Sequence, residues 1–320
     1  WDALTGLPIG PPIRAGGPVA LRFSPDGSRI AATTGTGEPF LWDVAAATPI
    51  VPPDERDGSV GAVAFAPDGA IVAVAGDDGR IRLLESATGR TVGEPLVHDS
   101  AVRVLGFDPA GRLLLTGCRD GQARLWDLAG RVVVVTLSLQ EEVRCAAFRP
   151  DGGAFATACA GGAARLWEGA SGRPVGEPLE HDERVACLAF RPDGTTLATG
   201  SRDGTVRFWC AATGLPVGPP LAQGGAVHAL AFGPDGRRLA VAAAPATVRC
   251  WQAPDPIDGT PERIACWVGV TTELEFDGGD AIRRMEGAAS WDLRRRLVEL
   301  GGSPVRSEER PGRRPPERSS

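Results

Sequence analysis

Tryptophan recurs through this chain at a fixed interval: Trp1, Trp42, Trp126, Trp167, Trp209 and Trp251, with Leu84 standing where one more would fall. Counting Leu84, successive positions are 41 or 42 residues apart. Proline keeps the same period at Pro25, Pro67, Pro109, Pro150, Pro192 and Pro234, nearly always followed by Asp-Gly. Two independent markers in step establish internal repetition, and a period of about 42 predicts β-propeller blades. A ring of near-identical strand units is a surface for holding partners, and any catalysis would have to be grafted onto it.

The fifth repeat shows how each unit folds. Val185 to Phe190 is an apolar run of strand formers, and Arg191-Pro192-Asp193-Gly194 is a turn in which Pro presets one dihedral and Gly accepts the left-handed one. Thr196 to Gly200 reads as a second strand, Ser201-Arg202-Asp203-Gly204 as a tight turn, Thr205 to Trp209 as a third strand and Leu215 to Leu221 as a fourth. Such strands and turns make an antiparallel meander. The first two strands are apolar on both faces, as blades sandwiched between neighbours require. Pro216, Pro219 and Pro220 cannot donate to a ladder, which puts the fourth strand at an exposed rim and the first at the hub.

Composition excludes several classes of function. All 34 basic residues are arginine, so a phosphate-binding loop, a kinase active site or a Schiff-base centre cannot reside in this segment. A formal charge of -6 argues against nucleic acid as partner. No apolar run approaches the roughly 20 residues of a membrane helix. The seven cysteines contain no Cys-x-x-Cys pair and read as small buried thiols, which suggests a reducing, cytoplasmic compartment. No cofactor is expected.

The Asp-Gly turns before Trp42-Asp43 and Trp126-Asp127, with Trp167-Glu168, Trp209-Cys210 and Leu84-Glu85 as drifted versions, resemble the WD40 repeats from Trp1 to about Ala253. The resemblance implies an all-β propeller of four-stranded antiparallel blades, spanning residues 1–253. It also implies a hydrogen-bonded brace of His, Ser/Thr, Asp and Trp in each blade. Repeat five has His181, Thr199 or Ser201, Asp203 and Trp209; repeat three has His98, Thr116, Asp120 and Trp126. Repeat two keeps only Asp78, while Thr36, Gly161 and Pro245 occupy the Asp slot of repeats one, four and six. A Ser-His-Asp trio invites a catalytic reading, but a buried polar network that rigidifies a turn accounts for it better, and no catalytic residue is expected. With His98 and His181 committed to braces, no metal cluster remains.

Thr5 to Ile13 nearly copies Thr213 to Leu221, so it reads as an orphan fourth strand, and the repeat ending at Trp251 lacks one. A clasp of one on the other would close six blades into a monomeric ring; Trp1 reads as the tail of an earlier repeat, so an intact protein would have seven or more. Beyond a linker at 254–262, a cap of helix, strand and helix is expected over 263–301, followed by a disordered tail at 302–320. The first helix carries Ile264, Trp267, Val268 and Leu274, the strand runs from Ala281 to Met285, and the second helix from Ala288 to Leu300. This Trp-bearing, Arg-rich ending resembles tails that follow WD40 arrays in large bacterial, planctomycete-like proteins, many with a Ser/Thr kinase domain upstream. It is either a cap on the propeller or a separate docking module. A membrane-tethered kinase would place the propeller outside the cytoplasm.

Two register positions per repeat reach the face where such propellers hold peptides. One follows the first apolar anchor of the hub strand: Val19, Gly61, Arg103, Arg144, Ala186 and His228. The other precedes the Asp slot: Gly35, Asp77, Arg119, Ala160, Arg202 and Ala244. Arg103, Arg119, Arg144 and Arg202 fall in one sector and, with His228, suggest a seat for an acidic or phosphorylated peptide or protein. The other reading of the same residues is a set of solvated turns. Function is therefore expected to be non-catalytic protein interaction, or, as the alternative, substrate docking for a bacterial Ser/Thr kinase whose catalytic domain lies upstream.

Overall fold

The repeated Pro-Asp-Gly, replaced by Pro109-Ala110-Gly111 in the third unit, closes a hairpin at the same place each time. In the fifth, the Asp193 carboxylate accepts the Thr195 N–H at 2.9 Å and its hydroxyl at 2.7 Å, while Gly194 takes φ +73°. Asp26, Asp68, Asp151 and Asp235 each accept the N–H two residues on. A short acidic side chain thus stabilises the turn locally, before any distant contact forms.

The structure, a computed structural model, describes residues 18–34, 39–50 and 60–253, and beyond them 274–276, 282–284, 295, 296 and 299. In the unit from Trp1 to Trp251, antiparallel sheets follow one another as meanders, five described with four strands and the last with three. These sheets are the blades, numbered one to six in chain order. Their hub strands are Pro18–Phe23, Val60–Phe65, Val102–Phe107, Val143–Phe148, Val185–Phe190 and Val227–Phe232. The fold is the four-stranded antiparallel propeller blade, repeated.

Hub strands pack against one another in chain order, and the second strands join them. Leu114, Phe155, Leu197 and Leu239 are fully buried there. The interlock is steric. A Cβ on Gly200 would lie 2.6 Å from Val227 Cγ1 and 2.8 Å from Cys187 Sγ, and one on Gly117 2.6 Å from Val143 Cγ1. Each glycine leaves a notch for the first valine of the next blade. Leu84 takes the tryptophan slot without loss of burial, opposite Val72 as Trp126 is opposite Leu114.

The rim departs from expectation. In place of a fourth strand over Leu215 to Leu221, blade five has a single bridge from Trp209 to Pro216 and a strand of Leu221–Ala222. Three prolines withhold three donors, so the ladder breaks between its ends. Blade two does the same, with a Leu84–Thr91 bridge and the strand Leu96–Val97. Blade three has no proline in Val132–Ser138 and keeps a seven-residue rim strand; blade four keeps one too, Pro174–Glu180, with Pro178 accommodated in a register shift.

The end blades expose what the middle ones bury. Leu21 and Phe23 are 45% and 57% exposed, and Val248 is 73% exposed, whereas Ile81, Ala123, Ala164 and Val206, in the same slot as Val248, are fully buried. The expected clasp at Thr5 to Ile13 lies outside the described residues. So do the linker, the disordered tail and nearly all of both C-terminal helices. In the second unit, Gln252–Ser320, a strand of Ile282–Arg284 falls where one was expected, but it pairs with Leu274–Phe276. Leu274 therefore belongs to a strand, and not to the helix expected there. Strand pairing outweighed the helical spacing of a few apolar residues.

Filling a notch should loosen the stack. Gly200→Val is expected to cost ~1–3 kcal/mol by overpacking the contact between blades five and six, read as a lowered urea midpoint with unchanged circular dichroism at low denaturant.

Candidate functional site

Every hub strand carries a bulge at the same place. The registers skip Val19, Gly61, Arg103, Arg144, Ala186 and His228 in turn. A bulged residue is left out of the ladder and its side chain is re-aimed. The second set of positions meets the first through the backbone: the N–H of Arg119, Ala160, Arg202 and Ala244 donates to the carbonyl of Ala101, Glu142, Arg184 and Ala226. Both register sets therefore share one end of each blade.

The arginines there do not all have the same freedom. Arg103 reaches back to blade two, where its Nη1 lies 2.7 Å from Asp77, and its Nε is 3.7 Å from Glu142 of blade four. Arg144 pairs with the same Glu142 at 2.7 Å. Arg119 and Arg202 are exposed and have no ion pair among the described residues. His228 is exposed as well. The structure adds one member that sequence reasoning missed. Burial, then the charges of Arg202 and Arg144, push the Arg184 guanidinium below its ordinary range, with Glu142 opposing. Arg144, Arg184 and Arg202 thus crowd together. The available signal was register: Arg184 directly precedes the hub anchor Val185.

In blade five the brace is assembled from four residues. His181 Nε2 lies 2.7 Å from Thr199 Oγ1, Trp209 Nε1 donates to that oxygen at 2.8 Å, and His181 Nδ1 lies 3.1 Å from Asp203 Oδ2. Thr199, and not Ser201, is the hydroxyl member; Ser201 Oγ donates to the Glu183 carbonyl and accepts the Asp203 N–H. Burial would raise the Asp203 carboxyl, but hydrogen bonds from the Thr205 hydroxyl and N–H and from His181 outweigh it and hold the acid below its usual range. The carboxylate fixes His181 as the Nδ1–H tautomer, so Nε2 accepts the Thr199 proton.

Blade three uses different chemistry with similar residues. His98 Nε2 lies 2.8 Å from Thr116 Oγ1, and Trp126 Nε1 donates to that oxygen at 3.2 Å. Asp120, expected to complete the set, accepts the Gln122 N–H and does not reach the histidine. His98 Nδ1 instead lies 3.0 Å from Cys118 Sγ. Thr116 spends its own proton on the Arg124 carbonyl, so His98 is Nε2–H and the thiol donates to Nδ1. Burial holds His98 down to about 4, with Arg124 adding to the effect and Asp120 and Asp99 opposing. Burial likewise pushes the Cys118 thiol up to about 12.

The other blades diverge further. Asp78 of blade two pairs with Arg82 at 2.9 Å. In blade six the buried Gln223 occupies the histidine slot and accepts the Trp251 Nε1–H at 3.1 Å. Gln223 sits four residues before the hub anchor, as His98 and His181 do, and that offset could have found it. Among the described residues no group of His, Cys, Asp and Glu could hold a metal ion, and no helix is long and apolar enough to cross a membrane.

Comparison with known proteins agrees with this geometry. Residues 90–127, 132–168, 172–210 and 220–252 match the WD40 family model, described as WD domain, G-beta repeat. Residues 41–98 match the model of the anaphase-promoting complex subunit 4 WD40 domain. Over this span the chain belongs to the WD40-repeat family. Among solved structures, the computationally designed Ika8 protein is 22% identical with a TM-score of 0.65, over 74% of this chain and 71% of that one, which shows the shared fold. No curated protein matches.

The two braces should respond differently to loss of their acids. Asp203→Ala is expected to cost ~1–3 kcal/mol by orphaning buried donors, and Asp120→Ala much less; equal shifts in urea midpoint would contradict the assigned partners. Acid should also weaken the fold. From the ordinary 6.5 down to about 4 the unfolded chain binds a proton at His98 that the folded chain refuses, so stability falls as pH drops through that window. Denaturation at neutral and mildly acidic pH should show the fall, with a smaller one in His98→Gln.

Proposed function

We propose that this propeller is a non-catalytic scaffold that seats an acidic or phosphorylated segment of a partner protein on its bulged face. WD40 repeats generally mediate protein–protein interaction and are typically non-catalytic. The finer reading rests on one observation: the Arg202 N–H donates to the Arg184 carbonyl at 3.0 Å, and the charges of Arg202 and Arg144 both lower the Arg184 guanidinium, with Glu142 opposing. Guanidinium groups gathered at one end of neighbouring blades offer paired donors to carboxylate or phosphate without a large ordering cost. Arg119, one blade away, extends the patch. Arg103 contributes less, because Asp77 and Glu142 already engage it.

Kinase docking is a use of the same face, favoured by the Trp- and Arg-rich ending after residue 253. It would hold if an attached catalytic domain lost substrate selectivity when the arginines were reversed.

Arg184→Glu with Arg202→Glu should weaken capture of a phosphorylated or polyacidic peptide pool by about a hundredfold and leave the urea midpoint nearly unchanged. Fluorescence polarisation against the wild-type chain measures it, and undiminished capture would remove the patch from consideration.

A further inference from the structure

Blade four has lost its brace in a particular way. Leu139 stands in the slot of His98 and His181, Gly161 in that of Asp203 and Ala163 in that of Thr205, while Thr157 and Trp167 are kept. The Trp167 indole still donates to Thr157 Oγ1 at 2.9 Å, and Thr157 is buried. Around that pair lies a cavity of about 400 Å³, lined among others by Leu139, Glu141, Cys159 and Arg165. A volume of this order is that of a small-ligand pocket.

Glu141 restores part of what Gly161 removes. Its carboxylate oxygens occupy the place where a Cβ on Gly161 would project. An acidic group therefore stands where the brace aspartate begins in blade five, but it is delivered by a different loop. Cys159 lines the same space as a neutral thiol, raised to about 11 by burial first and by the Glu141 charge second, with Arg165 opposing. Neither Glu141 nor Arg165 has an ion pair among the described residues. The cavity thus holds the hydroxyl, the indole edge and the carboxylate that grip a histidine ring in blade five, with a leucine in the histidine's slot.

We propose that this cavity is a binding site for an imidazole ring, presented as a histidine side chain by a partner segment. One ring nitrogen meets the Thr157 hydroxyl and the other donates to Glu141, with the Trp167 indole alongside. Arg165 on the wall disfavours a Lys or Arg side chain, which enters charged, whereas imidazole enters neutral. Presentation by a partner rests on the scaffold reading above; capture of the ring does not.

The test is titration of the full chain with 4-methylimidazole in mildly alkaline buffer, where the ring is neutral, followed by ligand-observed NMR. Saturable binding is expected, weakened about tenfold or more in Glu141→Ala by loss of a charge-assisted hydrogen bond. Binding should vanish in Leu139→His with Gly161→Asp, where the chain's own imidazole fills the space. n-Butylamine, which stays protonated in that buffer, should bind more weakly than 4-methylimidazole. No saturable binding to the wild-type chain, equal binding to Glu141→Ala, or tighter binding of the amine would each overturn the proposal. Arg184→Glu with Arg202→Glu should leave 4-methylimidazole binding unchanged, which separates a failure of this site from a failure of the arginine patch.

Discussion

The structure depends on burial between blades. A four-stranded sheet with apolar side chains on both faces cannot be stable alone in water, and each large side chain buried between two sheets contributes ~1.5–3 kcal/mol. Leu114, Phe155 and Leu197 are wholly enclosed in this way, and Val143 and Val227 sit in notches left by Gly117 and Gly200. Among the described residues the end blades show the converse: Leu21, Phe23 and Val248 are exposed where their counterparts are covered. Stability is therefore shared by neighbours, and single blades are free to vary in everything that does not touch the contact.

That freedom is visible in the polar braces. Blade five has histidine, threonine, aspartate and tryptophan joined; blade three puts a thiol where the aspartate would serve; blade six replaces the imidazole with the Gln223 amide. In each, a buried indole N–H finds an acceptor, because leaving it unpaired in a dry interior would be costly. Which acceptor is used matters little to the stack. Blade four keeps only the Thr157–Trp167 bond and opens the space around it.

Much of the fold was legible before any coordinates. Strand order, turns and hub positions follow from the recurrence of Trp and Pro-Asp-Gly, because a repeat places chemically equivalent residues in equivalent surroundings. The register argument also located the bulged residues, from Val19 to His228, without naming the bulge. Less legible were the breaks in the rim strands, where proline acted against an apolar pattern, and the pairing of Leu274–Phe276 with Ile282–Arg284. Arg184 escaped because its importance comes from Arg144 and Arg202, which are distant in sequence and close only after blades four and five pack.

The line between the two kinds of information is physical. Sequence by itself determined the periodic blade, since turn chemistry, strand propensity and alternating burial are local properties that each repeat states anew. Only the tertiary structure decided which charges neutralise one another, which histidine nitrogen carries its proton, and that Glu141 enters the space beside Gly161. Those outcomes depend on distances of a few ångströms between residues tens of positions apart, and such distances are set by how the sheets stack.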